Sequence, residues 1–292
     1  MHCIFCHKDS TASKSVEHII PESLGNKDYF LPKGYVCDDC NNYFAVKIER
    51  VLLDQPYFRS MRFRNEIATK KGKPVKEKMI FPDAMMACDV EMQTTDSGRN
   101  NELLFEAIKD GKTHKMFSLY CPEPDYPSIS MSRFIAKCAY EYFLYQMGEE
   151  NYELCVQELM SDKSDVLKDL REYARYGKGP YWEYNQRRIY SEGACFVHKV
   201  GRECYEILHE MMLFTKEHKL YPTGQFEAEI YYVMAVAGIE YAMCISDPSI
   251  TEYQKWIDEH SGRSPLSDDD EIQIFSKSDY DPLLIGKDAR KQ

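Results

Sequence analysis

The sequence predicts an α+β protein: a small N-terminal module clipped by cysteines, followed by a larger mixed domain. Three observations predict it. Two CxxC pairs, Cys3/Cys6 and Cys37/Cys40, frame a stretch whose pattern runs strand, loop, strand, helix. After about residue 65 the texture changes to alternating β-rich and helical segments, which sets the boundaries 1–65 and 66–292. The 292 residues, 43% of them hydrophobic, supply enough apolar material for one large domain or two ordinary ones and lie far from disordered composition.

Each element has its own warrant. Residues 16–20, VEHII, read as a short strand ended by Pro21, and 35–37, YVC, as a second. Phe44, Ile48, Val51 and Leu52 recur at helical spacing. GKPVKEKMIF and NELLFEAIKDGKTHKMFSLYC read as strands, with KDGK as a hairpin turn, before Pro122, Pro124 and Pro127 break the chain. Met131, Phe134, Ile135, Cys138 and Tyr142 share one face of a helix stopped at Gly148, and 150–174 continue as helix. GQFEAEIYYVMAVAGIEYAMCI reads as two strands meeting near Gly238. SITEYQKWIDEHSG reads as a last helix, with Ser249 as N-cap and Gly262 past its end. No internal repeat is visible.

The chain has 11 cysteines. With no basic-then-apolar leader and no apolar run long enough for a membrane span, a cytoplasmic protein is expected. In a reducing compartment closely spaced cysteines read as metal ligands and scattered ones as buried thiols. Cys88, Cys121, Cys138, Cys155, Cys195, Cys204 and Cys244 follow no ligand spacing and are expected in the core. Cys3, Cys6, Cys37 and Cys40 supply two tight turns of paired thiolates. Together they make a closed S4 site suited to a structural Zn2+. Thioredoxin-type redox pairs would need a βαβ context, which neither pair has. A double-site RING needs eight ligands, and only four are spaced for it.

Between the pairs lie Glu17 and His18, and Asn41 follows the fourth cysteine. A carboxylate and an amide oxygen are hard donors that suit Mg2+ or Mn2+. An imidazole beside them can take a proton from water. On a regular strand Glu17 and His18 would point to opposite faces, so the reading needs the chain to bend there.

CIFC, EHIIPESLG and VCDDCNNYF together resemble an HNH endonuclease of the ββα-metal class with a four-cysteine zinc support; the resemblance covers roughly residues 3–60. It implies that Glu17 and Asn41 bind a catalytic divalent metal and that His18 is the general base. The implied reaction is one-metal phosphodiester hydrolysis, faster as the imidazole loses its proton, near pH 6.5 for an ordinary histidine. Two departures stand out. Glu17 replaces the frequent Asp, and the usual middle Asn has no counterpart in LPKGYV, leaving Asn26 and Asn42 as the nearby amides. A bacterial role in defence against phage or plasmid DNA follows only by analogy with proteins of this layout.

The net charge of −11 argues against a general nucleic-acid coat. Lys47 to Lys78 nevertheless carries ten basic residues against four acidic ones, a local footprint for phosphates. Arg59, Arg62, Arg64, Lys70 and Lys71 are its candidate contacts. The seven histidines other than His18 have no such frame. HIIPE lacks the His–Glu spacing of a nucleobase deaminase, and HExxH is absent. The alternative is a non-catalytic zinc-ribbon nucleic-acid-binding protein. Residues 66–292 hold no nucleotide loop or nucleophile elbow, though REYARYGKGPYWEYNQRRIY mixes Arg and Tyr as base-stacking surfaces do. They are expected to select substrate, protein partner or homo-oligomer.

Overall fold

The structure is a computed structural model that describes residues 1–69, 72–81, 86–91, 104–109, 112–118, 123–148, 152–160, 167–198, 204–220, 226–267 and 272–276. The chain is α+β, as predicted, and forms two compact units. One holds Ile20–Phe30 and Tyr43–Tyr126; the other holds Met1–Ile19, Leu31–Asn42 and Pro127–Gln292.

The helix read from Phe44, Ile48, Val51 and Leu52 begins at Asp38. It runs as α1 (Asp38–Phe44), a π-helical turn at Ala45–Glu49 and α2 (Arg50–Leu53). Gln55 is extended, and Pro56 starts α3 (Pro56–Arg64) at N1, where a missing N–H costs nothing. The predicted strands that follow form β1 (Lys76–Phe81), β2 (Met86–Glu91), β3 (Leu104–Lys109) and β4 (Lys112–Ser118) in the antiparallel order β2-β1-β4-β3. Lys109 pairs with Lys112, as a KDGK hairpin requires, although residues 110 and 111 of that turn lie outside the described residues.

The larger unit is organised around α4 (Ile129–Gly148), the predicted helix, which is buried along most of its length. Residues 150–174 supply α5 (Tyr152–Met160) and α6 (Lys168–Tyr176), the latter closed by Gly177 at φ +66°; 161–166 lie outside the described residues. Next come β5 (Asn185–Arg188), β6 (Ala194–His198), β7 (Cys204–Tyr205), β8 (His209–Leu220), β9 (Phe226–Val236) and β10 (Ile239–Cys244). The helix α7 (Thr251–Glu259) and the strand β11 (Ile272–Ser276) follow. They form two sheets, β5-β10-β9-β8 and β11-β6-β7. The expected hairpin turns through Ala237 and Gly238, both at positive φ. A Cβ on Gly238 would stand 2.1 Å from the Tyr190 carbonyl oxygen, so only glycine fits. One face of α4 packs on this sheet. Tyr142 and Tyr232 lie with ring centroids 5.5 Å apart, and the Tyr142 hydroxyl donates to Met211 O at 3.0 Å. Burying each such ring contributes about 1.5–3 kcal/mol.

Some local expectations need correction. Residues 16–20 and 35–37 form no ladder strand. Their backbone groups are spent singly on joining loops: Ile4 N–H donates to Tyr35 O, and Leu31 N–H to Glu17 O, each at 2.9 Å. Strands β5 to β8 and β11 were not foreseen. Ser249 lies one residue outside the α7 cap, Ile250, but its hydroxyl accepts from Thr251 N–H at 3.3 Å. Cys138 and Cys244 are buried thiols, as expected, and Cys155 is half-buried. Cys195 is buried but disulfide-bonded, because scatter in sequence does not reveal which thiols a fold brings together. No helix among the described residues is long and apolar enough to cross a membrane.

Candidate active site and metal centre

The four spaced cysteines meet in the structure. Their sulfurs all lie within 4.8 Å of one another, with Cys6 Sγ and Cys37 Sγ 3.6 Å apart. A tetrahedral zinc with Zn–S bonds of about 2.3 Å needs sulfurs about 3.8 Å apart, so the donor set fits that ion. Cys3, Cys37 and Cys40 are buried and Cys6 is half-buried. The first turn is closed by His7 N–H to Cys3 O and Cys3 N–H to Lys8 O, both 2.9 Å, with His7 at φ +61°. The second is the entry to α1, where Cys40 N–H donates to Cys37 Sγ at 3.4 Å. Asp38 clamps the loop between them, accepting from Ser15 N–H at 2.8 Å and from its hydroxyl at 2.6 Å.

The sulfurs are electrostatically coupled. The hydrogen bond from Cys40 pulls the Cys3 thiol down to about 4, and the same bond together with burial drives the Cys40 thiol upward. Burial pushes the Cys37 thiol up to about 11. Burial thus disfavours the thiolate form at Cys37 and Cys40, and a bound dication is what would offset it. Helix α6 adds positive charge from outside. Arg175 Nε donates to Cys40 Sγ at 3.3 Å, and one turn earlier the Arg171 guanidinium meets the His7 ring. His7 therefore turns to Arg171 beside the cluster.

Glu17 lies in irregular backbone and His18 in a single bridge position just before a bend at Ile19–Ile20, so the alternation of a regular strand does not constrain them. His18 is half-buried. Glu17 is only 5% exposed, and its Oε1 lies 2.6 Å from Lys137 Nζ. That ammonium also reaches Glu141 Oε2 at 3.2 Å, His18 O at 2.8 Å and Ile19 O at 3.3 Å. Asn41 Nδ2 donates to Val16 O at 3.1 Å, which brings the amide beside the residue preceding Glu17. Glu17 and Asn41 carry hard oxygen donors, and the Glu17 carboxylate pairs with Lys137.

Asn26 is buried and binds backbone within its own loop. Its Nδ2 donates to Ile20 O at 2.6 Å and Tyr29 O at 2.8 Å, and its Oδ1 accepts from Asp28 N–H and Tyr29 N–H. Asn42 is exposed. On α3, Arg62 is buried at 8% exposure. Arg59 and Arg64 are half-buried; Arg59 donates to Asp54 O at 3.2 Å and Arg64 to Ser60 Oγ. Lys70 and Lys71 lie outside the described residues. The aromatic segment divides: Tyr173, Trp182, Tyr184 and Tyr190 are core, while Tyr176 and Tyr181 are exposed.

Sequence reasoning missed Lys137 and Glu141, and it read Arg171 and Arg175 as part of a base-stacking segment rather than as neighbours of the cysteines. The signal was present as three charges, Arg133, Lys137 and Glu141, at four-residue steps in a largely apolar helix, and two arginines at the same spacing in α6.

Compared with known families, residues 3–56 match the family model of an HNH endonuclease. No curated protein and no solved structure matches the chain.

Proposed function

We propose that the protein is a metal-dependent endonuclease that hydrolyses phosphodiester bonds in DNA, with residues 1–65 as the nuclease module. The carrying observation is the coincidence, within the stretch that matches HNH endonucleases, of a four-sulfur cluster with zinc geometry and the Glu17–His18 bend beside Asn41. His18 is the general base: its neutral imidazole takes a proton from the attacking water. Glu17 and Asn41 would hold Mg2+ or Mn2+, which supplies stabilisation of the charge that grows on the phosphate and the departing oxygen. The cysteine cluster is structural, because four thiolates leave no open position. Arg59 and Arg64 are the candidate phosphate contacts, and burial gives Arg62 a packing role. Residues 66–292 select substrate or partner, and defence against foreign DNA in a bacterial cytoplasm is the setting.

One observation favours a second reading. The Glu17 carboxylate is already held by Lys137, as in a protein that binds nucleic acid through its zinc module without cutting it. Cleavage separates the two. Supercoiled plasmid is incubated with wild type and His18→Ala in Mg2+, Mn2+ or chelator. The nuclease reading expects metal-dependent nicking that falls by roughly 10²–10⁴-fold in the variant with zinc retained. Undiminished cleavage by pure His18→Ala would remove His18 from the reaction.

A further inference from the structure

We propose that Lys137 is the positioning residue of the Glu17–His18 bend, an internal counter-ion delivered by α4 that fixes the carboxylate and the backbone carrying the base as one unit. The proposal rests on reading that bend as the nuclease site. Lys137 is fully buried, and its three N–H donors face four acceptors at 2.6 to 3.3 Å. Two of these acceptors are the carbonyls of consecutive residues, His18 and Ile19. Consecutive carbonyls of an extended chain point in opposite directions, so both can reach one nitrogen only where the chain turns. The ammonium therefore dictates the shape of the bend as well as the aim of Glu17. The next residue of α4 reinforces it: the Cys138 thiol donates to Ile19 O at 3.0 Å.

Glu141 completes the arrangement. It sits one turn along α4 and anchors the ammonium from the helix side, so that Lys137 reaches Glu17 from a fixed base. A buried ammonium is costly unless paired, and an apolar side chain of similar volume would fill the space with less penalty. The half-buried Arg187 pairs with Glu240 and joins β5 to β10. Lys137 instead meets Glu17, a residue of the candidate site.

The test is steady-state cleavage of supercoiled plasmid in Mn2+ by wild type, Lys137→Met, Glu17→Gln and the double variant, each checked for zinc content and circular dichroism. Folded, zinc-loaded Lys137→Met is expected to lose about 100-fold in kcat, the scale of a small misplacement of catalytic groups, with KM for DNA changed less than about threefold. If Lys137 acts through Glu17, the double variant falls no further than the weaker single one. A kcat within about threefold of wild type, or losses that multiply in the double variant, would overturn the proposal. Should Lys137→Met not fold, Lys137→Gln, which keeps an N–H donor, undergoes the same measurements. If wild type cleaves nothing, the nuclease reading fails by itself, and hydrogen exchange then decides the positioning claim. Faster exchange at residues 16–20 with unchanged exchange at Cys3 to Cys6 supports it; unchanged exchange at 16–20 refutes it.

Discussion

Replacing Arg175 with methionine should weaken zinc binding by about 10–100-fold without unfolding the protein. Arg175 Nε stands 3.3 Å from Cys40 Sγ, a sulfur shielded from solvent, and the arginine itself is half-buried. A hydrogen bond to a charged acceptor contributes about 1.5–3 kcal/mol. Loss of an outer partner of a metal ligand costs about 10–100-fold in affinity, or about 1.4–2.7 kcal/mol, so two independent routes give the same magnitude. Methionine keeps the unbranched stem and removes only the donor and its charge. The guanidinium also lies 5.0 Å from the Tyr176 ring centroid, so Tyr176→Leu serves as the control and should change affinity by no more than about fivefold, because an exposed cation–π contact contributes about 0.5–1 kcal/mol. Affinity is read by competition with a chromogenic zinc chelator. A folded Arg175→Met with wild-type affinity would refute the argument, as would Tyr176→Leu reproducing the loss.

Cys37→Ser should abolish stoichiometric zinc by elemental analysis and expose the 3–40 segment to proteolysis, since ligand loss and local unfolding are coupled; a fully folded, metal-free variant refutes the cluster. Arg64→Ala should weaken DNA binding and flatten the dependence of log affinity on log salt by about one unit, whereas Arg62→Ala should leave that slope alone and lower the melting temperature. A peptide of residues 1–65 with zinc should lack the dispersed amide spectrum of a folded domain, because Phe5 packs against Tyr140 at 5.3 Å and Ile4 O accepts from the Tyr140 hydroxyl, both contacts to α4; a dispersed spectrum would show that the module is self-sufficient.

What was legible in the sequence was what proximity along the chain encodes. The CxxC spacing fixed each half of the cluster, and the run from Phe44 to Leu52 fixed the helix that carries Asn41 next to Cys40. The β9–β10 hairpin was legible because its glycine meets a steric demand no other residue satisfies. The short strands failed for a physical reason. A β-branched run such as VEHII prefers an extended backbone, but a ladder also needs a partner, and the cysteine turns and Asp38 take the neighbouring groups. The 12-residue β8 escaped notice because it mixes charged and apolar residues without strict alternation.

Both charged clusters of the N-terminal segment face the same electrostatic problem. Four close sulfurs and a buried carboxylate each gather negative charge where water cannot screen it. Lys137 reaches the carboxylate and Arg175 a cysteine sulfur from 97 or more residues beyond Cys40, and Arg171 meets His7 beside the cluster. Local sequence reading sees the anions because spacing betrays them, and misses the cations because only the fold sets them opposite. α4 and α6 belong to one compact unit with Met1–Ile19 and Leu31–Asn42. α4 brings an ion pair to Glu17 and packs Tyr140 on Phe5, and α6 brings hydrogen bonds from Arg175 to Cys40 and from Arg171 to His7, so a change in either helix reaches these residues through specific polar contacts as well as through packing.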